Sequence, residues 1–496
     1  MKVIRWLILL LVVLIIAGVV TALIWLFTNE REQHIYEFSK DFKFGAASAS
    51  YQIEGGWNAD GKTPNIWDTL VHTRPELIKD QSNADVGADS YHFYKEDVKA
   101  LKNAGLEVYR FSISWARIVN ETNVINQAGI DYYNNLIDEL IKEDIEPLVT
   151  MYHWDLPQYI EDLGGFQDPI LVEHFKFYAN VLFKSFGDRV KRWITFNEPW
   201  IFCIDGYSSA TKPPLIESPG FGEYLCGHHM LQAHAAAYKL YNDDYREQQT
   251  GEIGICLFSN FFYPDSGVSP EVAEKTQQFQ LGWFTHPIFS SEGNYPKIMI
   301  DEIKDKTVDQ PLSRLPIMDD EMKNSLIGAA DFLALNYYTS RLVAPMTEVH
   351  GERSWQSDVG VDFIIDEKWE KAKSWWLYNV PQGLHDLLKW IKAEYNNPTV
   401  LITENGYSDD GQLDDDDRIN YIKAHLAAIH RAIHQDRCKV VAYTVWSIID
   451  NFEWMEGFTE KFGIHAVNLT SPNKERIAKK SVSFFKDLTD QRQMIF

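Results

Sequence analysis

Eight short apolar runs recur along this chain, and segments with helical periodicity separate them. The runs are rich in β-branched and aromatic residues, which is typical of buried strands. They lie at Phe42–Ala47, Val108–Ile113, Pro147–Tyr152, Arg192–Phe196, Glu252–Leu257, Phe332–Leu335, Thr399–Thr403 and Val440–Val445. The helical segments include Tyr91–Ala104, Ile130–Glu143, Leu171–Phe186, Gly227–Tyr241, Gly383–Ala393 and Asp417–Gln435. Strands that alternate with helices form a parallel sheet, and eight of them predict a closed (β/α)8 TIM barrel.

The length of the chain indicates that the loops of this α/β barrel are long. Such barrels typically have about 250 residues, whereas the chain has 496. We place the excess in βα loops around residues 200–225, 260–330 and 340–380, within one domain at residues 39–490. An open doubly wound sheet is the alternative fold, but no GxGxxG motif follows the first run to support it.

The first 38 residues differ in kind from the rest. Lys2 and Arg5 precede an uncharged stretch of 22 residues, Trp6–Phe27. A bilayer span needs about 20 residues and a signal-peptide core roughly 7–15, so the length favours a signal-anchor transmembrane helix over a cleaved signal peptide. The positive-inside rule then leaves residues 1–5 as a short cytosolic tail and 28–38 as a stem. We expect a membrane-anchored protein with a lumenal or extracellular body, or a secreted one if residues 6–27 are cleaved.

Composition excludes several functions. A net charge of −24 argues against nucleic-acid binding, which requires a basic surface. No Cys or His spacing indicates zinc, and we predict neither a metal nor a cofactor. The four cysteines can pair in three ways, and the sequence does not choose among them. Sequons at Asn120 and Asn468 predict glycosylation in a lumenal compartment. The oligomeric state cannot be inferred.

Polar and aromatic side chains follow the predicted strands. Seven of the eight strand ends carry one, and only the end at Leu257-Phe258-Ser259 does not. The proline after Glu198 pushes that glutamate towards extended geometry where the fourth strand stops. Active sites of TIM barrels form at the carboxyl ends of the strands, so these side chains predict a shared pocket. They are Gln52, Arg110, His153, Asn197 with Glu198, Asn336, Glu404 and Trp446.

Two carboxylates among amide, imidazole and aromatic groups suit a neutral, polyhydroxylated ligand. Glycoside hydrolysis uses one carboxyl group to protonate the leaving oxygen and a second on the other side of the anomeric carbon. Glu198 and Glu404 are the candidates for this pair. Hydroxyl groups would bond to Gln52, His153, Asn197 and Glu453, and a sugar ring would lie on Trp446 or Trp454. A serine hydrolase is the main competitor, but the chain has no GxSxG motif.

The order of these motifs resembles glycoside hydrolase family 1. FGAASASYQIEG at residues 44–55 is similar to the N-terminal signature of that family, and TFNEP at 195–199 and ITENG at 402–406 are similar to its two catalytic motifs. RFSISW at 110–115, HWDLP at 153–157, NYYT at 336–339 and the segment 446–454 also match. The resemblance covers about residues 39–490. It implies a retaining, exo-acting β-glycosidase, usually a β-glucosidase, with a small β-glycoside as its substrate.

The resemblance also implies a role for each matched residue. Glu198 would be the acid/base and Glu404 the nucleophile, with Arg110, Tyr338 and Asn336 supporting the nucleophile. Residues expected to contact the substrate are Gln52, His153, Asn197, Tyr338, Trp446, Glu453 and Trp454, with Trp376 on the aglycone side.

Two other functions are compatible with these residues. A transglycosidase would use the same catalytic pair, and a carbohydrate-binding receptor would have an inactive barrel, although both glutamates are intact. The segment 208–214 departs from the glycine-rich loop that is usual in the family, so the aglycone preference stays open.

Overall fold

Eight parallel strands close into a barrel in this computed structural model, which describes residues 4–6, 11–16, 18, 34–121, 123–307, 313–347 and 353–496. Each strand pairs with the next, and the last pairs with the first. The predicted (β/α)8 barrel is therefore confirmed. The strands are β1 Lys43–Ala47, β2 Val108–Ser112, β3 Glu146–Tyr152, β4 Arg192–Asn197, β5 Glu252–Phe258, β6 Phe332–Asn336, β7 Val400–Glu404 and β8 Val440–Trp446.

The strand boundaries agree with the predicted ones to within one residue. Five strands continue one residue further than predicted, because their last residues still pair in the sheet. Asn336 pairs with Glu404, Asn197 with Cys256, and Trp446 with Ala47. Four of the polar or aromatic residues at the barrel rim thus belong to the rigid sheet rather than to the loops.

Helices form the outer layer of the barrel. In the helix Gln127–Lys142, the buried residues Ile130, Tyr133, Ile137 and Leu140 recur every three or four positions, which is the spacing of one helix face. All six helical segments inferred from the sequence coincide with helices of this layer, and three of the segments extend one residue past the end of their helix. They are α1 Ser90–Asn103, α2 Gln127–Lys142, α3 Ile170–Phe186, α4 Gly222–Asp244, α5 Asp320–Leu326, α6 Pro381–Glu394, α7 Asp416–His434 and α8 Lys480–Gln491.

The long loops carry further short elements. Further helices lie at Ser50–Ile53, Ile66–Thr73, Trp115–Ile118, Gln158–Asp162, Pro199–Tyr207, Arg246–Gln249, Pro270–Gln277, Trp283–Phe289, Lys297–Asp305 and Trp355–Val359. A three-stranded sheet is built from Phe261–Pro264, Ser340–Pro345 and Val361–Ile364. Two-stranded sheets join Glu370–Lys371 to Tyr378–Asn379 and His465–Val467 to Arg476–Ala478. Ile35–Glu37, inside the predicted stem, pairs with Gln493–Ile495 near the end of the chain.

The core has two parts. One large cluster of buried apolar side chains includes residues from both the strands and the surrounding helices. A separate, smaller cluster takes residues from seven of the strands, as expected for the interior of the barrel. Its members are Val108, Leu148, Ile194, Cys256, Phe332, Ala334, Leu401 and Ala442. This packed interior supports the polar groups at the carboxyl ends of the strands.

Most of the predicted transmembrane segment, residues 6–27, lies outside the residues that the structure describes. Within the described residues, none of the helices combines the length and the apolar character that a membrane crossing requires.

The structure forms one disulfide from the four cysteines and leaves the other two as thiols, so none of the three complete pairings is present. Cys203 and Cys226 form a disulfide that links the helix Pro199–Tyr207 to α4. Cys256 and Cys438 are buried thiols.

Candidate active site

Glu404 is the last residue of β7, and two neighbours orient its buried carboxylate. The guanidinium Nη1 of Arg110 donates to Oε1 and forms an ion pair with it. The phenol of Tyr338 donates to Oε2 over 2.8 Å. Both carboxylate oxygens therefore accept a hydrogen bond, one of them from a cation.

Glu198 follows the last residue of β4 and caps the helix Pro199–Tyr207. Its backbone is left-handed, with φ 48° and ψ 62°, so the expected extended geometry is wrong. Pro199 instead takes the first position of the helix, where its missing N–H costs nothing. The side-chain Nδ2 of Asn336 donates to Oε1 of Glu198 over 2.7 Å, and the Glu198 backbone N–H donates to the carbonyl of Cys256 over 2.8 Å.

The surroundings of Glu198 favour its protonated form. Burial raises the pKa of this carboxyl to about 8, and the nearby charge of Glu404 acts in the same direction. The hydrogen bond from Asn336 and the positive charges of Lys212 and Arg110 oppose this rise in pKa. One carboxyl group of the site is thus suited to carry a proton at neutral pH, while the other is paired with an arginine.

A hydrogen-bond network joins the ends of several strands. Arg110 donates from Nη2 to Oδ1 of Asn197 over 2.6 Å and from Nε to Oγ1 of Thr150 over 3.1 Å. Asn336 Nδ2 donates to the same Asn197 oxygen over 3.1 Å. The amide nitrogen of Asn197 lies 3.0 Å from Nε2 of His153. Burial lowers the pKa of His153 well below 6.5, so the imidazole is neutral.

Gln52 and Glu453 form another part of the site. The amide nitrogen of Gln52 donates to Asn451 Oδ1 over 3.0 Å and to the carbonyl of Phe452 over 2.9 Å, and it lies 3.5 Å from Oε2 of Glu453. Among the residues that the structure describes, neither Gln52 Oε1 nor His153 Nδ1 has a protein partner, although both atoms are buried. Buried polar atoms without a partner are costly, so both atoms suit hydroxyl groups of a ligand.

The pKa of Glu453 is also raised, to about 8, chiefly by burial. The charges of Glu460 and Glu404 add to this rise, while Lys212 and a hydrogen bond with Trp446 oppose it.

Aromatic rings form the walls of the site. The centre of the Trp454 ring lies 4.8 Å from that of Trp154 and 5.9 Å from that of His153. Trp446 stacks on His153 with ring centres 5.8 Å apart. Trp376 lies apart from these rings and packs edge-on against Tyr338 at 5.4 Å. The structure thus brings together the predicted aromatic and polar residues around the two glutamates.

Cys256 is a site residue that the sequence did not reveal. It lies in β5, whose end carries no obvious functional group. Its carbonyl accepts the backbone N–H of Glu198, and its thiol donates to Oδ1 of Asn336 over 3.1 Å. A single cysteine in an apolar strand is indistinguishable from a core residue, so no sequence signal marks this position.

Two charged loop residues of the site, Glu460 and Lys212, were also not predicted from the sequence. Glu460 is buried, accepts a hydrogen bond from Ser374 and contributes to the raised pKa of Glu453. Lys212 forms an ion pair with Asp205 over 3.0 Å. Both lie on loops, where no periodic pattern predicts the position of a side chain.

The two predicted glycosylation sites lie outside this pocket. Asn468 is exposed, and Asn120 is partly exposed. Their side-chain oxygens accept local hydrogen bonds, for Asn120 from the N–H of Val124 over 3.0 Å and for Asn468 from the hydroxyl of Thr470 over 3.0 Å.

Comparison with known proteins agrees with this geometry. Myrosinase 1 of Brevicoryne brassicae is 49% identical over 461 residues, which is 91% of this chain and 98% of that protein. The structure of an aphid myrosinase is similar with a TM-score of 0.88 and 48% identity, over 92% of this chain and 99% of that one.

A rice Os3BGlu6 β-glucosidase mutant, solved in a covalent complex with Glc from GA4GE, is similar with a TM-score of 0.86 and 38% identity. The match covers 91% of this chain and 98% of that one. The model of the family described as "Glycosyl hydrolase family 1" matches residues 34–494. The resemblance of the motifs is thereby confirmed, and the chain belongs to glycosyl hydrolase family 1.

Proposed function

We propose that this protein is a retaining exo-β-glucosidase in which Glu404 is the nucleophile and Glu198 the acid/base. The observation that carries this assignment is the difference between the two carboxyl environments. Arg110 and Tyr338 hold Glu404 as an ion-paired carboxylate, whereas burial raises the pKa of Glu198 to about 8. A carboxylate and a protonated carboxyl group are what the first step of a retaining mechanism requires.

In the first step, a carboxylate oxygen of Glu404 attacks the anomeric carbon of the sugar. The bond between that carbon and the glycosidic oxygen breaks, and Glu198 transfers its proton to the leaving oxygen. The product is a glycosyl ester on Glu404, and Glu198 is left as a carboxylate. The hydrogen bond from Asn336 supports this ionised form of Glu198.

In the second step, Glu198 removes a proton from a water molecule. The water oxygen attacks the anomeric carbon from the face that the leaving group vacated, and the ester bond to Glu404 breaks. The arginine and tyrosine contacts then stabilise the released carboxylate of Glu404. Two inversions give net retention, and both residues return to their starting protonation states.

The polar groups on the glycone side support a glucosyl substrate. Gln52, His153 and Asn197 offer hydrogen-bonding groups for sugar hydroxyls, and Trp446 offers a flat surface. Glu453 would bind the hydroxyls at positions 4 and 6. It supplies no positive charge for a phosphate at position 6, so β-D-glucosides and secondarily β-D-fucosides or β-D-galactosides are the proposed substrates.

The experiment is a panel of 4-nitrophenyl glycosides, with the product followed by proton NMR from the first turnovers. We expect turnover of the β-D-glucoside, slower turnover of the β-D-fucoside and β-D-galactoside, and negligible turnover of the glucoside 6-phosphate. The first sugar released should be the β-anomer of glucose. Release of the α-anomer first, or a preference for the 6-phosphate, would contradict the proposal. Transfer to added alcohols in preference to water would identify a transglycosidase.

We also propose that residues 6–27 anchor this enzyme with residues 39–490 in a lumenal or extracellular compartment. The uncharged stretch after Lys2 and Arg5 supports an anchor. The disulfide between Cys203 and Cys226 supports an oxidising compartment, because such bonds rarely persist in the cytosol. Surface positions of Asn120 and Asn468 are compatible with glycans there.

Carbonate extraction of membranes and N-terminal sequencing test this topology. An anchored enzyme stays in the membrane pellet, begins before residue 6 and loses mass on treatment with a glycosidase that removes N-linked glycans. A soluble protein that begins after residue 22 is instead secreted, and an unglycosylated one with free Cys203 and Cys226 is not lumenal.

A further inference from the structure

A cavity of about 490 Å³ lies among the elements that surround the barrel. Its walls come from the strand Phe261–Pro264, the helix Pro270–Gln277 and Trp390 of α6. None of the residues that line it belongs to the group assembled around Glu198 and Glu404. Small-molecule sites in proteins typically have volumes of about 300–1,000 Å³, so this cavity is large enough for a ligand of its own.

Aromatic rings form much of the cavity wall. Phe261, Tyr263 and Trp390 all line the cavity and are partly exposed. The rings of Phe261 and Tyr263 meet edge to face, with centres 4.9 Å apart. The indole N–H of Trp390 donates to a carboxylate oxygen of Glu274 over 2.9 Å, which holds that ring in place. Such rings bind the apolar body of a ligand, and their faces attract a cation.

The hydrogen-bond donors of the lining side chains are all engaged within the protein. The hydroxyl of Tyr263 donates to Asp386 over 2.7 Å. The side-chain nitrogen of Gln277 donates to the hydroxyl of Ser259 over 2.8 Å and to the carbonyl of Asn260 over 3.3 Å. The indole N–H is likewise taken up by its carboxylate partner. Among the described residues, the side chains that line this cavity therefore leave no donor for a ligand.

Acceptors, in contrast, remain available. Gln277 is 2% exposed, and its side-chain oxygen is buried without a partner in the part of the chain that the structure describes. Glu271 is exposed, and within those same residues its carboxylate has neither an ion pair nor a hydrogen bond. Glu274 accepts one bond at each oxygen, from Gln278 and from Trp390, whereas a carboxylate has about four acceptor sites. The cavity is therefore complementary to a ligand that donates hydrogen bonds.

The carboxylates of the cavity also lack a basic partner. Lys275 and Lys389 are adjacent in sequence to lining residues, but they lie 3.8 Å from Glu302 and 3.9 Å from Asp436, respectively. Within the described ranges, no lysine or arginine forms an ion pair with either carboxylate of the cavity. A cationic ligand would supply the missing positive charge, and the net charge of −24 attracts cations at long range.

We propose that this cavity is a second, non-catalytic binding site for a primary organic ammonium ion with an apolar body. An ammonium group has three N–H donors, which would bond to the carboxylates of Glu271 and Glu274. The apolar body would lie against the rings of Phe261 and Trp390. A neutral polyhydroxylated ligand fits less well, because its hydroxyl oxygens would find no side-chain donor among the described residues. The inference does not depend on the proposed glycosidase function.

The test compares 2-phenylethylamine, which is protonated at neutral pH, with 2-phenylethanol, a neutral molecule of the same shape. Binding of each to the full-length protein is measured by calorimetry at low ionic strength. We expect the amine to bind about 10-fold more tightly than the alcohol, the factor that one charged hydrogen bond supplies. Glu274→Gln keeps an oxygen for the indole N–H of Trp390 but removes the charge. It should weaken amine binding about 10-fold and leave alcohol binding within about twofold.

A second variant and a matched control localise the bound amine. Glu271→Gln should also weaken amine binding. Glu247→Gln should leave it unchanged, because Glu247 is an exposed carboxylate in the first turn of another helix. Absence of amine binding, equal affinities for amine and alcohol, or unchanged amine binding in both cavity variants overturns the inference. Amine bound in the catalytic pocket would inhibit hydrolysis of 4-nitrophenyl β-D-glucoside competitively and keep its affinity in Glu274→Gln, and this result also overturns the inference.

Discussion

Replacing Tyr338 with phenylalanine tests how the proposed nucleophile is held. The substitution removes one hydroxyl group and keeps the ring, which packs against Trp376 at 5.4 Å. Oε2 of Glu404 then loses its 2.8 Å hydrogen bond and keeps only the contact from Arg110 to the other oxygen. Burial raises the pKa of Tyr338 well above 10, so the phenol is protonated and able to donate throughout the working pH range.

The size of the effect follows from the charge on the acceptor. A hydrogen bond to a charged group contributes about 1.5–3 kcal/mol, which corresponds to a loss of roughly 10- to 150-fold in kcat/KM at 25 °C if the bond acts in the transition state. Tyr338→Phe should therefore lower kcat/KM for 4-nitrophenyl β-D-glucoside by that factor. The melting temperature should change little, because the ring still fills its place.

Tyr337→Phe is the matched control. Tyr337 is fully buried, and its hydroxyl donates to the carbonyl of Val380 over 2.7 Å, away from both glutamates. This variant should lose stability but keep kcat/KM within about threefold. The reasoning is refuted if Tyr338→Phe retains full activity, or if the two variants lose activity equally.

Three further expectations follow from the same site. With an aryl glucoside, kcat/KM should fall as pH rises through about 8, because Glu198 must be protonated and burial raises its pKa to about 8. A kcat/KM that stays constant up to pH 10 would argue against Glu198 as the acid. Asn336→Ala removes a 2.7 Å hydrogen bond that favours ionised Glu198. The fall of kcat/KM at basic pH should therefore move to higher pH, and a move to lower pH would contradict the role of Glu198 as the acid. Glu453→Ser should lower kcat/KM for the glucoside about 10-fold or more through lost hydrogen bonds to the sugar; equal activity of variant and wild type would place the sugar elsewhere.

Periodicity and strand chemistry were sufficient to predict the barrel. Buried parallel strands require continuous apolar runs, and that requirement makes their positions readable from the sequence. The predicted boundaries missed Asn197, Asn336, Glu404 and Trp446 by one residue, because a polar or bulky side chain at a strand end looks like the start of a loop. The sheet hydrogen bonds that include these residues cannot be read from side-chain patterns.

The backbone conformation of Glu198 could not be predicted from its neighbours in the sequence. The proline that follows it disfavours right-handed helical geometry, and extended backbone was the expected alternative. The protein uses the left-handed region instead, where a non-glycine residue costs on the order of 1–3 kcal/mol. Tertiary contacts, namely the bonds to Asn336 and to the Cys256 carbonyl, maintain this conformation. No local pattern encodes contacts between residues so far apart in the chain.

The contributions of Cys256, Glu460 and Lys212 were missed for the same reason. Each residue acts through a partner that is distant in sequence, such as Asn336, Ser374 or Trp154. A buried thiol, a loop carboxylate and a loop lysine each lack a sequence pattern that would mark them as site residues. Their role becomes visible only when the barrel brings the loops together.

The assignment of Glu404 as nucleophile is tested most directly by trapping the glycosyl-enzyme. The enzyme is incubated with 2,4-dinitrophenyl 2-deoxy-2-fluoro-β-D-glucoside, digested with a protease, and the labelled peptide is sequenced by tandem mass spectrometry. The fluorine slows both steps and the activated leaving group restores the first, so the intermediate accumulates. We predict one fluoroglucosyl group per protein, attached to Glu404. Attachment to Glu198, or complete turnover without any labelled peptide under conditions that inactivate the enzyme, would contradict the assignment.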